Sequence, residues 1–449
     1  MTVTPLSRLL EVDSMHVVCF DRREDEILWP EFRARVAGLS AALAASDLRY
    51  WALDCSNAFD LACVLYGCWS AGKTPVLAPD YLLADESRGL RFDGVVRASG
   101  DGVSSRPVIA LDQLQPGELV DPIIPATSDL VLFTSGSTGE PTQVCRTIRN
   151  FESELEVLES LFGASIGDAR VYSTVSHQHV YGLLFRLLWP LVTKRAFATY
   201  NFEYPENLFG EASATGALVT SPALLKRIGH LQNPVESEWR IIFSSGGMLP
   251  DYAAADAMRL LGRWPVEVLG STETSGVAWR CQEEHGAAEV WHTLPEVRVR
   301  QDDEGFLEVN SPFMGLSSWH RMGDKVRLRS TRSFELLGRG DHIVKIEEKR
   351  VSLAEIEQCA ISLPSITDAA ATALEDGTRQ YVGLVVQLSE SGVAELRELG
   401  RKDVGQKIRQ SLGSRLDPVA VPKKIRYVDV IPVNSQGKRQ PAAIRELFD

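Results

Sequence analysis

The chain has 449 residues, of which 44% are hydrophobic and 24% are charged, and its formal net charge at pH 7 is -13. This length exceeds one ordinary hydrophobic core and predicts two or more globular domains. The negative charge argues against general affinity for nucleic acid or anionic lipid, so we expect small-molecule ligands or a local protein partner.

The N-terminus and the cysteines predict a reduced, cytoplasmic protein. The segment MTVTPLSRLLEVD has no long apolar region after a basic start, and no apolar run reaches the roughly 18 residues needed to span a bilayer. The seven cysteines form no CxxC pair and their number is odd, which disfavours a disulfide framework.

The first elements alternate between helix and strand. Pro30 can open a helix, and the apolar stretch from Tyr50 to Cys55 then predicts a strand. Asn57 is a good N-cap for a second helix, from about Phe59 to Ala71. The segment TPVLAP predicts the next strand.

Residues 67–75, GCWSAGKTP, fit the P-loop template through Gly67, Gly72, Lys73 and Thr74, but their context argues against a phosphate site. The glycines lie at the end of a helix and lead into a strand, whereas phosphate binding needs a helix that starts after the glycines. We interpret Gly72 as a helix C-cap, with Lys73 close to the negative end of the helix dipole.

A second glycine-rich loop follows a strand, as nucleotide binding requires. The apolar run from Leu130 to Phe133 predicts a buried strand that leads into the loop. Backbone amides and hydroxyls in such a loop suit a polyphosphate, although a surface Ser/Gly turn is the alternative interpretation. The loop residues are Thr134, Ser135, Gly136, Ser137, Thr138 and Gly139.

The rest of the chain predicts a parallel sheet, then a region of short alternating strands, and then a smaller domain. VYSTVSHQHVYG, GALVTSPALLKRI, WRIIFSSGGMLP and VEVLGSTETSG predict parallel strands whose C-terminal loops face a common crevice. Short alternating stretches over residues 295–337 predict an antiparallel sheet or barrel. Beyond residue 341 we expect an α+β domain with helices over 352–360 and around 404–412 and a strand over 381–388.

Five segments resemble, in order and spacing, the signature segments of the AMP-forming acyl- and aryl-CoA synthetase, adenylation-domain and luciferase superfamily. They are TSGSTGEP, GSTET, MGD, LGRGDHIVKIEEKRVSLAEIE and NSQGKRQ. The resemblance implies an α/β fold: a large N-terminal domain over 1–337, with parallel α/β subdomains and a small β-barrel, a hinge over 338–341 and a mobile α+β domain over 342–449. It also implies ATP-dependent conversion of a carboxylic acid into an acyl-adenylate, followed by transfer to a thiol.

The resemblance also implies the role of each nucleotide-site residue. The loop 134–139 would hold the β- and γ-phosphates, and Thr272 would contact the α-phosphate. Glu273 would hold Mg²⁺, a cation that prefers oxygen ligands. The alternative interpretation of Glu273 is a carboxylate in a surface ion pair. Asp324 and Arg339 would bind the ribose. The site would also contain Ser245, Gly246, Gly247, Leu269, Gly270 and Ser271.

The mobile C-terminal domain would supply the adenylation lysine. Lys438 would bridge the acid and the α-phosphate during adenylation. The alternative interpretation is an ordinary solvated lysine. Asp341 would be the hinge about which this domain rotates between the two half-reactions.

Several positions depart from the family pattern. Glu140, Thr142 and Gln143 stand where the loop usually carries lysines, and Leu269 stands where a tyrosine commonly stacks on adenine. Glu348 occupies the place of a glycine that would border the pantetheine tunnel. The thiol step is therefore less well supported than adenylation, and a non-catalytic homologue that binds nucleotide or carrier is the second hypothesis.

The acid pocket would be built by the SHQHVYG, SSGGMLP and GSTETSG segments, with His179 closing over the bound acid. Glycines in these turns leave room for a flat ring, so we expect an aromatic acid such as a hydroxybenzoate, with a short or medium-chain fatty acid as the alternative. A zinc site at His177 and His179, which would share one face of a strand, is not expected because no third ligand lies nearby. The proposed wall comprises Tyr181, Gly246, Gly247, Ser271, Gly276 and Val277.

The thiol acceptor would be coenzyme A or the phosphopantetheine of a separate acyl carrier protein. Carrier proteins are acidic, and a local basic surface in the C-terminal domain would speed their encounter, although an ordinary solvated face is the alternative. The KIEEKRVSL segment also looks like the free-standing AMP-ligases of aryl-polyene and xanthomonadin-type pigment pathways. The basic residues are Arg401, Lys402, Lys407, Arg409, Arg415, Lys423, Lys424 and Arg426.

Overall fold

The structure is a computed structural model, and it divides into two compact units. The first comprises Met1–Val299, Val309–His320 and Ser330–Ser333, and the second comprises Arg300–Glu308, Arg321–Arg329 and Phe334–Asp449. The predicted hinge over 338–341 stays a prediction. The structure describes residues 3–77, 92–99, 104–134, 142–210, 216–231, 238–282, 290–315, 318–340, 343–346, 349–376, 379–433, 439 and 441–449.

The first unit contains a sheet that is parallel except at one edge. Its strand order is β6-β5-β3-β4-β7-β8, and β8 alone in this order runs antiparallel to its neighbour, β7. The strands are β3 (Tyr50–Asp54), β4 (Thr74–Leu77), β5 (Gly94–Arg97), β6 (Val108–Ala110), β7 (Asp129–Thr134) and β8 (Thr142–Thr147).

A second sheet of the same unit has the strand order β15-β14-β13-β12-β11-β9-β10-β1-β2. The strands from β13 to β1 in this order are mutually parallel, and β14, β15 and β2 run antiparallel to their neighbours. The strands are β1 (Val17–Phe20), β2 (Glu26–Leu28), β9 (Arg170–Ser173), β10 (Phe197–Ala198), β11 (Gly216–Thr220), β12 (Trp239–Ser245), β13 (Val266–Ser271), β14 (Ser275–Cys281) and β15 (Val290–Thr293).

Helices cover these sheets, and α3 bears an amphipathic pattern with a capping box at Thr147 and Asn150. The helices are α1 (Trp29–Ala44), α2 (Ala58–Ser70), α3 (Ile148–Ile166), α4 (Val180–Gly182), α5 (Trp189–Val192), α6 (Asn207–Gly210), α7 (Pro222–Leu225) and α8 (Asp251–Leu261), with a π-helix over Leu183–Leu188 and 3₁₀ turns over Leu6–Glu11, Leu111–Gln113 and Ile228–His230.

The P-loop-like segment 67–75 lies where the sequence predicts, at the end of a helix. The Asn57 side chain accepts a hydrogen bond from the Asp60 amide at the start of α2. After α2, Gly72 adopts a left-handed conformation with φ of 65°. Lys73 then donates to the Ser46 carbonyl, and β4 follows. A strand and not a helix follows these glycines, so the predicted order of helix, glycine and strand is confirmed.

Residues 298–339 contain four strands, as their alternating pattern predicts. They lie next to one another in chain order, and the last two are joined by a turn at 331–332. The strands are β16 (Arg298–Gln301), β17 (Phe306–Asn310), β18 (His320–Ser330) and β19 (Ser333–Arg339).

The C-terminal part contains more regular structure than the sequence predicts. A hairpin of β20 and β21 precedes a sheet of order β22-β23-β24, in which β22 and β24 were not predicted. The helix α10 is longer than expected and breaks at Gly400, where φ is 82°. The elements are β20 (Ile343–Ile346), β21 (Lys349–Ser352), α9 (Leu353–Ile361), β22 (Ile366–Asp376), β23 (Arg379–Leu388), α10 (Glu390–Gly413), a 3₁₀ turn over Pro418–Ala420, β24 (Lys424–Val428) and α11 (Pro441–Glu446).

Among the helices that the structure describes, none combines the length and the apolar content that crossing a membrane requires.

Candidate active site

Four parallel strands of the first unit, β9, β11, β12 and β13, end at one edge of the second sheet. Because the carboxyl ends of parallel strands form ligand crevices, this edge is the candidate site. Hydrogen bonds join the strand ends: Thr174 contacts Thr220 at 2.7 Å, and the Ser245 hydroxyl donates to the Val268 carbonyl at 2.8 Å. The three segments predicted to build the acid pocket therefore leave the sheet at the same edge.

The turn over residues 271–275 is tightly organised and carries Thr272 and Glu273, both of which are partly exposed. The Ser271 amide donates to the Thr274 hydroxyl at 3.1 Å, and the Thr274 amide donates to the Ser271 hydroxyl at 3.2 Å. A Cβ at Gly270 would lie 2.2 Å from the Ser275 carbonyl oxygen, so only glycine fits there. These constraints hold Thr272 and Glu273 on a rigid turn.

Two buried charged residues lie behind this turn, Arg146 on β8 and Glu154 on α3, each 1% exposed. Arg146 donates to the Thr272 carbonyl and to the Ser275 hydroxyl, and that hydroxyl donates to Glu154. The Gly276 amide completes the set by donating to Glu154 at 2.8 Å. Burial lowers the pKa of Arg146 and raises that of Glu154, and each opposes the shift of the other.

Sequence reasoning missed both residues, because nothing local marks them. Arg146 lies 126 residues before Thr272 in the chain, and Glu154 lies 121 residues before Ser275. An arginine in a strand and a glutamate in an amphipathic helix are ordinary residues for exposed positions.

A buried ion pair supports the glycine loop that follows β12. Glu267 accepts from Arg280 at 2.8 Å and from the Leu249 amide at 3.0 Å. The Gln282 side chain donates to both Glu267 and the Leu249 carbonyl. Gly246, at the start of the loop, has φ of 96°, a conformation that favours glycine. The loop is thus fixed from β13 and β14.

His177 is a buried structural residue. It lies beyond the end of β9, so His177 and His179 do not share the face of a strand. Its Nε2 lies 3.0 Å from the Cys55 carbonyl, which fixes Nε2 as the donor, and Nδ1 lies 3.3 Å from Arg186. Among the described residues, no group of three or more His, Cys, Asp or Glu side chains could hold a metal ion.

Arg186, in the π-helix, anchors the segment that leads to His179. It donates to the carbonyls of Val175, Thr199 and Tyr200 and to the Asn201 side chain. Burial lowers its pKa to about 9. A π-helix marks a local departure from regular helix geometry, and here it places an arginine among carbonyl acceptors.

Stability should fall in weak acid because His177 is neutral in the fold. Burial and Arg186 lower its pKa from 6.5 to about 4, so the unfolded chain takes up the proton first. The contribution of neutral His177 to the free energy of unfolding is complete above pH 6.5 and is lost as the pH falls towards 4. We expect urea unfolding to show a loss of about 2 kcal/mol between pH 7.5 and pH 5 from this group.

The variant His177→Gln, whose amide can keep both hydrogen bonds, should remove that part of the pH dependence. The exposed His230, which contacts Glu206, offers the matched control His230→Gln. An unchanged pH slope in His177→Gln would contradict the assignment.

The proposed acid-wall residues differ in exposure. The Tyr181 ring lies 5.0 Å from that of Phe185, between ring centroids. Val277 is fully buried, and a Cβ at Gly276 would lie 2.9 Å from the Glu154 carboxylate. Gly276 and Val277 are therefore buried inside the protein as part of β14. Their role in an acid pocket stays a prediction.

Two predicted ribose ligands lie close together in the second unit. Asp324 on β18 is 6% exposed, and Arg339 lies at the end of β19. A Cβ at Gly323 would lie 2.8 Å from the Arg339 guanidinium, so glycine leaves room for that side chain beside β18. The residues Ser135, Gly136, Ser137, Thr138, Gly139, Glu140, Asp341, Glu348 and Lys438 lie outside the described residues.

Comparison with known proteins defines the class. A family model described as AMP-binding enzyme matches residues 13–310, and one described as AMP-binding enzyme C-terminal domain matches residues 355–438. The chain therefore belongs to the AMP-binding enzyme family, within the adenylate-forming superfamily, and it is an AMP-forming acid-thiol ligase. The recognition made from the five sequence segments is confirmed.

Two curated relatives align over most of the chain. Anthranilate–CoA ligase of Pseudomonas aeruginosa is 24% identical and covers 87% of this chain and 85% of its own length. The 4-hydroxybenzoate–CoA/benzoate–CoA ligase of Rhodopseudomonas palustris is 23% identical, with coverages of 92% and 87%.

Solved structures show the same fold. A benzoate CoA ligase from Burkholderia xenovorans LB400 superimposes with a TM-score of 0.78 at 18% identity, and the alignment covers 97% of this chain and 98% of the other. An anthranilate CoA ligase, AuaEII, in complex with anthranoyl-AMP also has a TM-score of 0.78, at 14% identity, with coverages of 99% and 97%. The expected α/β fold class is therefore confirmed.

The family uses ATP, Mg²⁺ and coenzyme A to activate a carboxylic acid and transfer it to the thiol. The donor set here fits that cation. Mg²⁺ is commonly held by one or two carboxylates together with substrate phosphates, and the turn offers Glu273 as a partly exposed carboxylate.

Proposed function

We propose that this ligase activates an aromatic carboxylic acid such as a hydroxybenzoate. The observation that carries the proposal is the open space at Gly246 and Gly247, in the loop that follows β12, where a Cβ would meet no atom closer than 4.0 Å. This loop therefore leaves room for a flat ring at the carboxyl end of β12, and Tyr181 follows β9, which ends at the same edge of the sheet. The named activities of the anthranilate and benzoate relatives support the same substrate class.

The proposed roles are those that the resemblance to the family implies, and the charges of the reactants are consistent with them. Adenylation brings a carboxylate against an anionic triphosphate, so alignment and charge neutralisation supply most of the catalysis. Thr272 would contact the α-phosphate, Glu273 would hold Mg²⁺ and Lys438 would bridge the two reacting groups. His179 would help to hold the acid, and Asp324 and Arg339 would hold the ribose. Phosphates would contact the loop over 134–139.

The C-terminal residues would move between the half-reactions. We assign the hinge to residues 338–341, with Asp341 at its centre, and the adenylation lysine to the part that rotates. Exchange of active-site groups by such closure lets one site serve two reactions.

We also propose that a separate acyl carrier protein can serve as the thiol acceptor, in addition to coenzyme A. Basic side chains cluster on two surfaces of the second unit: Lys423 and Lys424 lie over the Tyr381 ring, and Tyr427 contacts the Arg401 carbonyl beside Arg409. A basic surface speeds encounter with an acidic carrier. Lys407 is already paired with Glu395 and contributes less.

An assay with a panel of acids tests the proposal. The protein, ATP and Mg²⁺ are incubated with benzoates, cinnamates and short fatty acids, and released pyrophosphate and AMP are measured. We expect turnover with a benzoate or cinnamate. Preference for a fatty acid would replace the aromatic substrate, and ATP binding without pyrophosphate from any acid would support the non-catalytic alternative. ADP as the sole nucleotide product would overturn the reaction class.

The acceptor is tested with the acid that gives most turnover. Thioester formation is compared between coenzyme A and a phosphopantetheinylated carrier protein at equal concentrations. Transfer to coenzyme A alone would remove the carrier from the proposal.

A further inference from the structure

We propose that Arg146 is a positioning residue for adenylation, and that Glu154 holds it in place. The inference rests on the proposed roles of Thr272 and Glu273 and assigns a specific device for orienting them. It concerns a side chain that lies behind the turn and therefore acts through it.

The contacts of Arg146 are directed at the turn itself. One guanidinium nitrogen donates to the carbonyl of Thr272, which belongs to the peptide that joins Thr272 to Glu273. Another donates to the hydroxyl of Ser275, where the chain re-enters a strand in a left-handed conformation with φ of 61°. Because a non-glycine residue rarely adopts this conformation, the contacts on each side of it help to maintain it.

Glu154 completes the arrangement from the other side. It accepts from the Ser275 hydroxyl and from the Gly276 amide, so it fixes the residue that Arg146 also contacts. Arginine can serve both acceptors because its planar guanidinium presents several donors in a fixed geometry, which lysine does not. Together the pair determines where the peptide between Thr272 and Glu273 points.

Charge adds a second reason for an arginine here. The segment that would face the phosphates, residues 134–143, contains no lysine or arginine of its own. Arg146 lies close enough to Glu273 for their charges to interact. A buried cation this close to the proposed Mg²⁺ carboxylate attracts it and so helps to orient it.

The chain provides a matched control on the same helix. Glu159, five residues after Glu154, forms a buried ion pair with Arg195 at 2.6 Å, and the side chains are 6% and 1% exposed. Arg195 also donates to the Gly167 carbonyl, at the end of α3 away from the turn. Both glutamates lie on α3 and both arginines are buried. Only Arg146 and Glu154 contact residues 272–276.

The test compares two double variants, Arg146→Met/Glu154→Leu and Arg195→Met/Glu159→Leu, in the full-length protein. Each replaces a buried arginine and a buried glutamate by apolar side chains, a change that a fold often tolerates. Thermal unfolding reports stability, and pyrophosphate release reports adenylation. We expect the first variant to lose about 100-fold in kcat, because small misplacements of reacting groups have effects of that size. It should also need more Mg²⁺ for half-maximal rate, whereas the second variant should keep the wild-type kcat and Mg²⁺ requirement.

A single variant keeps the test decisive if the first double variant does not fold. Arg146→Lys retains the charge but loses the forked geometry, and it should lower kcat with a smaller change in the KM for ATP. A wild-type kcat in either folded Arg146 variant would overturn the inference, as would an equal loss of kcat in the Arg195 control. Wild-type protein that releases no pyrophosphate with any acid would instead overturn the proposed function.

Discussion

Replacing Lys438 by alanine should reduce adenylate formation by about 100- to 1,000-fold, because a cation that bridges two anions at the reacting centre stabilises charge in the transition state. Thioester formation from a chemically prepared acyl-adenylate should proceed at close to the wild-type rate. The first reaction is measured as pyrophosphate release, and the second as thiol consumption.

The control is Lys402→Ala, which removes a lysine from the exposed surface of α10. It should leave pyrophosphate release unchanged when no carrier protein is present. If Lys438→Ala slowed both half-reactions equally, the lysine would not act in adenylation alone, and the proposed exchange of active-site groups would lose its main support.

Replacing Gly270 by alanine should disturb the turn over 271–275 and with it both stability and activity. The new Cβ would lie 2.2 Å from the Ser275 carbonyl oxygen, and this oxygen belongs to the backbone, so strand and turn must separate. We expect a loss of about 3 kcal/mol in the free energy of unfolding, as for other overpacked sites. Pyrophosphate release should fall about 100-fold in the protein that remains folded.

Gly247→Ala is the matched control for this substitution. At Gly247 the nearest atom to a Cβ is Pro222 Cγ at 4.0 Å, an ordinary contact, so stability should stay within about 0.5 kcal/mol of wild type. Urea unfolding compares the two variants. Similar stability losses in both would show that the tight approach at Gly270 is not what constrains the turn.

Several elements of the fold could be predicted because their signals are local. An N-cap at Asn57, an apolar helix and a left-handed glycine at Gly72 define α2 without reference to any other part of the chain. The same reasoning excluded the P-loop, since the order of helix and glycine is a local property. The strand β7 has an apolar centre, LVLF, between Asp129 and Thr134, as buried strands of parallel sheets do.

Other elements were missed because tertiary pairing overrides local preference. The strand β22 has the sequence ITDAAATALED, and its alanines favour helix. It is held instead by a long antiparallel pairing with β23 from Ile366 to Asp376. The strand β24, KIRYV, carries charges at alternate positions and gains its place by parallel pairing with β23.

The candidate site divides in the same way. Thr272 and Glu273 could be recognised because they belong to a contiguous motif, and the structure places them on a turn at the expected edge of the sheet. Arg146 and Glu154 could not be found from spacing, since their contacts with the turn join parts of the chain more than 120 residues apart. The position of His177 also depends on a distant group, the carbonyl of Cys55.

The two buried carboxylates of α3, Glu154 and Glu159, gain their partners at different times while the chain is being synthesised. Glu159 pairs with Arg195, which is synthesised soon afterwards, but the Ser275 and Gly276 donors to Glu154 emerge from the ribosome much later. Until β14 is present, Glu154 has Arg146 nearby but lacks those two donors, and an incompletely satisfied buried carboxylate opposes packing of the helix. Biosynthesis of the first unit therefore couples the docking of α3 to the arrival of the turn that would hold the nucleotide, so nascent chains that end before residue 275 should be open to proteolysis.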